Sequence, residues 1–398
     1  MSKRKILIFD DEERNRKKYV EALNKTQEIV KKFKIESILL KEFLKEWKIL
    51  GDRYRDLRKT KKGKDEPSIL DETSVFIIDY DLIKASDASG YLTGENVSYL
   101  VRCFSKCNFI IGFTQFGTNN FDLTLKGQSE SHADLKLGSD QLTNPGLWSS
   151  NERIDFFPWY WPNIPKYLEN LPKKLDDIES NLDTAICDFF GMTKEVVGTM
   201  PRSASEFIGG NPQEITFAQF LRYSDNALSQ VDKKFVDKLD PEVKKLLISS
   251  RISKWLEQLV LPGQNILIDA PHLVQRYPSL LKGSIADLNS WNATTTFNNF
   301  SSIGIDYKKI EEYRFKKDHW LSHPAWFLNQ VSNCQKIKEV SDPWTKKSTD
   351  FVFCEDSSSF YKKDDCKEFI AELESPYVRR YVRKFKGYEY TPSVRFSL

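Results

Sequence analysis

The stretch RKILIFDDEERNRKKYVEAL (4–23) decides the fold class of this chain. Its run ILIF predicts a short buried strand, and Asp10 and Asp11 follow that strand directly. Apolar residues then recur at helical spacing, as Tyr19, Val20 and Leu23. A buried strand that leads into an amphipathic helix is the repeating unit of α/β proteins, so the same alternation is expected further along the chain.

The alternation continues over the first 140 or so residues. Four further strands are predicted, at FKIESILL (33–40), VFIID (75–79), NFIIGFT (108–114) and, more weakly, HADLKLG (132–138). Helical patterns lie between them at LKEFLKEWKIL (40–50) and GENVSYLVRCF (94–104). Because parallel strands joined by helices need right-handed crossovers, we expect a doubly wound, five-stranded parallel sheet within a first domain at residues 1–145.

The alternation of strand and helix patterns ends after about residue 145. FFPWYWPNIP (156–165) is an aromatic connector punctuated by proline. Helical periodicity dominates beyond it, and DFVFCED (350–356) is the one convincing late strand, so residues 146–398 are predicted to form a mainly helical second domain. Basic and aromatic residues alternate in the segment YVRRYVRKFKGYEY (377–390). We interpret this segment as a helix with an apolar face rather than as a surface that binds nucleic acid.

Composition excludes several classes of protein. Lys and Arg total 60 and Asp and Glu total 57, a formal charge of +3 that does not indicate a nucleic-acid or polybasic membrane binder. No apolar run approaches the roughly 18 residues of a membrane span, and the start has no signal-peptide core, so we expect a cytoplasmic protein with no membrane segment. The six cysteines form no CxxC pair, and only four histidines are present.

Polar side chains follow the predicted strands where reactive groups collect in an open parallel sheet. Asp10 and Asp11 follow the first strand, Asp79 ends the third, Thr114 ends the fourth, and Lys136 lies in the fifth. Carboxylates meeting at one edge repel by about 4 kcal/mol for a close pair, so a cation must offset them. Magnesium suits such a site because it takes one or two carboxylates and shares a phosphoryl oxygen. The pattern therefore predicts a phosphoryl-transfer site.

With these residues in place, the stretch from about 3 to 140 resembles the receiver domain of two-component response regulators. The opening ILIFDDEE and the segment GENVSYLVR (94–102) carry much of the likeness. By position, the resemblance implies that Asp10 and Asp11 help to bind Mg²⁺. It implies that Asp79 is a metal ligand as well as the acceptor of a phosphoryl group from a histidine kinase, and that the sheet is flavodoxin-like.

Three more positions match the receiver pattern. The resemblance implies that the backbone carbonyl of Asp81 completes the metal shell, and that Thr114 and Lys136 hold the phosphoryl oxygens. The sequence also departs from the family. The loop DLIKASDASGYLTG (81–94) is longer than usual and lacks a proline, and Ala133 stands where receivers carry the aromatic that reports phosphorylation.

The resulting hypothesis is a response-regulator-like signalling protein that accepts phosphate on Asp79 from a histidine kinase and controls, or is buffered by, its second domain. One alternative is a phosphate sink or docking receiver in a kinase operon, for example in prokaryotic antiviral defence, with a second copy or an operon-encoded protein as partner. Nucleic acid is not indicated as a partner. Whether the chain is an enzyme beyond the turnover of its own phosphoryl group stays open at this point.

Two enzymatic alternatives also stay open. IIDYDLI (77–83) fits the nucleophile strand of haloacid-dehalogenase-like phosphatases, although that family expects its acidic pair after this strand rather than before it. An effector enzyme could be built from the polar clusters DAPHLVQRYPSLL (269–281) and KKDHWLSHPAWF (316–327), but satisfied interior polar residues are the simpler interpretation. The chain contains no GxSxG, Walker, GxGxxG or HExxH motif.

Overall fold

The computed structural model describes residues 3–57, 66–89, 92–114, 131–149, 156–209, 211–223, 233–296, 303–338, 340, 350–370 and 379–383. Strands and helices alternate through the first part of the chain, as the sequence predicts. They are β1 (Arg4–Phe9), α1 (Glu13–Lys25), α2 (Gln27–Lys32), β2 (Phe33–Ser37), α3 (Leu40–Asp56), β3 (Val75–Asp79), α4 (Ile83–Ser89), α5 (Gly94–Phe104), β4 (Phe109–Thr114), β5 (Leu135–Gly138) and α6 (Pro145–Trp148).

The first five strands form one parallel sheet in the order β2-β1-β3-β4-β5. This order is that of flavodoxin-like folds, in which the chain changes direction across the sheet between β1 and β3. The prediction of a five-stranded parallel α/β sheet is confirmed. The change of direction leaves a crevice at the carboxyl ends of β1 and β3, which is where ligands bind in open sheets of this kind.

Successive side chains of a strand point to opposite faces of the sheet, and both faces are covered by helices. On one face, Ile6 and Ile8 of β1 pack in a cluster with Tyr19 of α1. On the other face, Phe9 stacks on Phe43 of α3 with ring centroids 3.7 Å apart. This two-sided burial explains why the central strands are continuous apolar runs rather than alternating ones.

The second part of the chain contains more strand than the sequence analysis predicts. Its elements are α7 (Ile164–Ser180), α8 (Ile186–Phe189), α9 (Lys194–Gly198), α10 (Arg202–Ile208), α11 (Phe217–Tyr223), α12 (Pro241–Lys254), β6 (Leu267–Asp269), α13 (Ala270–Arg276), α14 (Leu288–Asn292), β7 (Ala325–Phe327), α15 (Leu328–Ser332), β8 (Phe351–Cys354), β9 (Ser359–Lys362), β10 (Cys366–Ile370) and β11 (Arg379–Arg383). A π-helical turn, Trp255–Val260, continues α12.

Four late strands form a mixed sheet in the order β10-β11-β8-β9, and β6 pairs with β7. The expectation of a single late strand is therefore wrong. The helix expected in 377–390 is also wrong where the chain is described, because residues 379–383 form β11. Tyr381 and Val382 are buried there while Arg379 is exposed, so side-chain contacts to neighbouring strands outweigh the helical pattern.

The aromatic connector is buried rather than an exposed tether. Trp159 and Trp161 are 1% and 4% exposed. The backbone N–H groups of Phe157 and Trp159 donate to the carbonyl oxygens of Asp356 and Glu355, both at 2.8 Å. The connector thus packs its side chains in the core of the first sheet and is hydrogen-bonded through its backbone to the turn between β8 and β9. The boundary at residue 145 stays a prediction. In the part of the chain that the structure describes, no helix has the length and apolarity to cross a membrane.

Candidate functional site

The carboxyl ends of β1, β3 and β4 bring three of the predicted site residues to one edge of the sheet. Because Phe9 pairs with Ile78, the next residues along the two strands, Asp10 and Asp79, are neighbours. Thr114 ends β4 at the same edge, where it is half-buried. The parallel arrangement therefore places Asp10 and Asp79 at the crevice between β1 and β3, with Thr114 one strand further along the same edge.

Asp10 and Asp79 form a closely interacting, buried carboxylate pair. Asp10 is 0% and Asp79 is 4% exposed. Burial, more than the neighbouring Asp10 carboxylate, raises the pKa of Asp79 to about 7. Burial also raises the pKa of Asp10, since the N–H of Glu12, at 2.7 Å from Asp10 Oδ1, offsets it only in part.

One oxygen of this pair has no protein donor. Asp10 Oδ2 is buried and accepts no hydrogen bond from the described residues. A buried carboxylate oxygen beside a second carboxylate is stabilised most directly by a cation. The donor set thus fits the Mg²⁺ implied by the receiver resemblance, since magnesium takes one or two carboxylates and completes its shell with water and phosphoryl oxygens.

Asp11 and Asp81 occupy different surroundings from the central pair. Asp11 Oδ2 accepts a hydrogen bond from the N–H of Ala85 at 3.0 Å, which ties the end of β1 to α4. Asp81 has an exposed side chain, and its backbone N–H lies 3.3 Å from Asp79 Oδ1. Among the described residues, no three His, Cys, Asp or Glu side chains form a ready-made metal cage. Asp10 and Asp79 are the carboxylates that the structure brings together.

Lys136 has a different partner from the one the receiver pattern implies. It lies on β5 beside Gly112 of β4, and its Nζ is 3.7 Å from Glu95 Oε2. The same ammonium lies 4.6 Å from the ring centroid of Tyr80. In this structure the ion pair of Lys136 is therefore with Glu95 rather than with Asp79.

Glu95, in the first turn of α5, is the centre of a polar network that the sequence analysis does not single out. The hydroxyl groups of Tyr80 and Ser131 both donate to Glu95 Oε2 at 2.7 Å. The N–H of His132 donates to Glu95 Oε1, also at 2.7 Å. Burial opposes the charge, but the His132 side chain together with these hydrogen bonds outweighs it and holds the pKa of Glu95 well below its usual range. The only sequence signal is an acidic residue beside the glycine that opens α5.

Two glycines allow the residue after Asp79 to reach this network. A Cβ at Gly94 would lie 2.4 Å from the carbonyl oxygen of Asp79, and a Cβ at Gly112 would lie 2.0 Å from the ring of Tyr80. Any side chain at either position would displace the acceptor loop or the tyrosine. The close approach explains why GENVSYLVR begins with glycine.

The network continues into the second part of the chain. The carbonyl oxygen of Ser131 accepts from Lys254 Nζ at 2.6 Å and from Arg251 Nη1 at 3.0 Å, both on α12. A continuous set of hydrogen bonds therefore connects Tyr80, next to Asp79, with a helix of the second part. Residues 115–130, which follow Thr114, lie outside the described residues.

His272 and His323, one histidine from each polar cluster of the second part, are buried and hydrogen-bonded, whereas His319 is half-buried. His272 Nδ1 lies 2.6 Å from Asp269 Oδ1, and His272 Nε2 lies 3.2 Å from Glu355 Oε1. His323 Nε2 lies 2.7 Å from the carbonyl oxygen of Trp159. These contacts agree with a structural role for His272 and His323, whereas Asp318 Oδ1 in the second cluster is buried without a hydrogen-bond partner among the described residues.

Comparison with known proteins adds no assignment. No protein-family model matches the chain, and no curated protein was found to be similar to it.

Proposed function

We propose that the chain is a receiver-type signalling protein in which Asp79 accepts a phosphoryl group in the presence of Mg²⁺. The observation that carries the proposal is the buried pair of Asp10 and Asp79 at the crevice between β1 and β3, with one carboxylate oxygen lacking a donor. Phosphoryl transfer depends on positioning and charge stabilisation, which such a pair with a cation supplies. The proposed donor is a partner histidine kinase.

The transfer step follows from the chemistry of a carboxylate. An ionised oxygen of Asp79 attacks phosphorus, the new acyl phosphate O–P bond forms, and the P–N bond of a phosphohistidine breaks. The leaving imidazole keeps the bonding electron pair and takes a proton from water. Held by Asp10, Asp79 and the backbone carbonyl of Asp81, Mg²⁺ would offset the charge of the incoming phosphoryl oxygens. Thr114, at the same edge, is the proposed hydroxyl partner of those oxygens.

The proposed output route is the polar network around Glu95. A phosphoryl group on Asp79 adds negative charge next to Tyr80, whose hydroxyl donates to Glu95. When Asp79 is phosphorylated, Lys136 can form an ion pair with either of two anions, Glu95 or the phosphoryl group. A shift of Lys136 toward the phosphoryl group would weaken its pair with Glu95, which is linked through Ser131 to α12. Such a change of partner gives the second part of the chain two distinguishable states.

Phosphoryl uptake is tested by intact-mass measurement with acetyl phosphate and Mg²⁺. We expect the parent to gain one phosphoryl group, Asp79→Asn to gain none, and chelation of magnesium to abolish the gain. Asp87→Asn is the matched control, because Asp87 is exposed on α4 and has no proposed role. Labelling of Asp79→Asn at the parent's level, or labelling that ignores magnesium, would show that the mechanism is wrong.

Two further measurements separate the alternatives. Sustained hydrolysis of a phosphomonoester with many turnovers would favour the haloacid-dehalogenase-like phosphatase instead. Hydrogen exchange with and without phosphorylation distinguishes an output from a sink. We expect altered protection in α12 as well as around Asp79, whereas changes confined to residues 1–145 would favour a phosphate sink or docking module.

A further inference from the structure

Two cysteines of the late sheet lie with their sulfur atoms in contact. Cys354 ends β8 and Cys366 begins β10, and both strands pair with β11. The two Sγ atoms are 3.2 Å apart, and both residues are free thiols. A disulfide between them needs the sulfur atoms to come only about 1 Å closer. The fold therefore brings together two thiols that are 12 residues apart in the sequence, although they form no CxxC motif.

The two thiols differ in their exposure to solvent. Cys354 is 0% exposed, whereas Cys366 is half-buried. The thiol of Cys366 donates to the carbonyl oxygen of Lys362 at 3.2 Å, so the hydrogen between the two sulfur atoms comes from Cys354. Burial, together with the neighbouring Cys366 thiol, raises the pKa of Cys354 well above its usual range. Cys366 is therefore the group that a dissolved oxidant reaches first, and Cys354 is placed to react second.

The other four cysteines offer no second pair of this kind. They are all buried, and within the part of the chain that the structure describes no hydrogen bond links any two of their sulfur atoms: Cys103, Cys107, Cys187 and Cys334. Buried structural thiols are inert toward dissolved oxidants. The sulfur contact thus singles out one pair, and the remaining cysteines supply controls.

The chain between the two paired cysteines holds the aromatic connector. In the turn between β8 and β9, the carbonyl oxygens of Glu355 and Asp356 accept the backbone N–H groups of Trp159 and Phe157. The hydroxyl group of Ser358 donates to the carbonyl oxygen of Phe157 at 2.9 Å. A covalent link from β8 to β10 would close this segment into a small loop, which removes conformational freedom from its open states. Oxidation of the pair would therefore oppose the opening of the turn to which the connector is bound.

We propose that Cys354 and Cys366 form a reversible disulfide when the protein meets a low-molecular-weight disulfide such as oxidised glutathione, and that this bond fastens the turn that holds the connector. The proposal is independent of phosphoryl transfer at Asp79. It assigns a site of oxidative modification to the late sheet.

The reaction is a thiol–disulfide exchange in two steps. The thiolate of Cys366 attacks one sulfur of oxidised glutathione, a mixed disulfide forms, and the first glutathione leaves as a thiolate with the bonding electron pair. Cys354 then loses its proton and attacks Cys366 Sγ, which displaces the second glutathione as a thiolate. Two protein thiols are oxidised, and one glutathione disulfide is reduced to two thiols, which take up the two protons.

The test is equilibration of the folded, full-length protein with oxidised glutathione, followed by trapping of the remaining thiols with N-ethylmaleimide in denaturant and intact-mass measurement. We expect the parent to lose trapping at two of its six cysteines and to keep no glutathione, and we expect dithiothreitol to restore all six. Peptide mapping should find the bond between Cys354 and Cys366. Trapping of all six cysteines, a bond between other cysteines, or a lasting glutathione adduct on Cys366 would overturn the proposal.

Substitutions at three cysteines locate the bond. Cys354→Ser and Cys366→Ser should both fail to form it, and Cys354→Ser should keep glutathione on Cys366, since no second thiol displaces it. Cys334→Ser is the matched control, because Cys334 is also buried, and it should form the bond like the parent. Loss of the bond in the control would place it elsewhere, and a Cys354→Ser protein without the adduct would contradict the assigned order of reaction. The mass change of the parent stays decisive even if a variant fails to fold.

Hydrogen exchange measures the effect on the connector. In the oxidised parent, the amide groups of Phe157 and Trp159 should exchange at least about tenfold more slowly than in the reduced parent. The same treatment should leave their exchange in Cys366→Ser unchanged, because that variant cannot close the loop. Equal exchange in the oxidised and reduced parent would overturn the assigned link between the disulfide and the connector.

Discussion

The side chain of Asp134 is hydrogen-bonded both to the first sheet and to α12, so its removal should lower the free energy of unfolding by more than most substitutions do. It directly precedes β5, and its Oδ2 accepts from the N–H of Ile110 at 2.7 Å and from the guanidinium of Arg102. Its Oδ1 accepts from Ser250 Oγ of α12 at 2.5 Å. Arg102 is only 1% exposed, so Asp134→Ala leaves a buried cation without its counter-charge.

The size of the effect follows from that orphaned charge. Breaking one side of a buried ion pair costs about 3–5 kcal/mol, out of a total stability of about 5–15 kcal/mol. For a chain of 398 residues that unfolds as one unit, the unfolding entropy is about 0.8 kcal/mol per degree. The melting temperature of Asp134→Ala should therefore fall by about 4–6 °C.

Urea and thermal unfolding, followed by circular dichroism and tryptophan fluorescence, measure the loss. Asp183→Ala is the matched control, because Asp183 is exposed and its removal should change the unfolding free energy by less than about 0.5 kcal/mol. Adding Arg102→Met to Asp134→Ala removes the orphaned cation and should restore at least about 1 kcal/mol. A double variant no more stable than Asp134→Ala, or an Asp134→Ala as stable as the control, would refute the reasoning.

Two further predictions concern packing and pH. Gly112→Ala places a Cβ against the Tyr80 ring and should cost about 1–3 kcal/mol of unfolding free energy. Gly51→Ala is the control, because its Cβ meets nothing within 4 Å, and it should be neutral or slightly stabilising. Equal costs of the two variants in urea unfolding would contradict the assigned contact with Tyr80. Burial alone would lower the pKa of His272, but its carboxylate partners raise that pKa above the value of about 6.5 that histidine has in an unfolded chain. The charged imidazolium therefore adds fully to the free energy of unfolding below about pH 6.5. This contribution is lost as the pH rises through the pKa of the folded protein. Compared with His272→Gln, the parent should lose unfolding free energy over that rise, and parallel pH profiles of the two proteins would argue against the charged pair. The charged and titratable groups around this imidazole are Asp269, Glu355, Arg380 and His323.

Local pattern was enough to predict the first sheet and its carboxylate edge. The runs at β1, β3 and β4 are apolar throughout because both faces of the sheet are covered, and strand-end geometry then places Asp10 beside Asp79. The helix GENVSYLVRCF begins and ends where its periodicity predicts.

Contacts between distant segments could not be predicted in the same way. The late strands are only four or five residues long, and β11 is held by its neighbours against a helical pattern. The pair of Lys136 with Glu95 depends on how α5 lies over the sheet, which no spacing encodes. Lys173 and Lys174 are adjacent and identical in type, yet one is exposed and the other is buried against Ser253 of α12. Only the tertiary packing of α7 distinguishes them.

The hydrogen bonds between the connector and the late strands bear on how the chain is made by the ribosome. The indole N–H of Trp159 donates to Glu355 Oε2 at 2.9 Å, although 196 residues separate the two in sequence. At a synthesis rate of about 5–20 residues per second, Trp159 leaves the ribosome about 10–40 s before its partner. The residues of the first sheet are already synthesised at that point, but the backbone N–H groups of the connector have only water as a hydrogen-bond partner until residues 355 and 356 emerge. That interval is when the growing polypeptide would most need a chaperone.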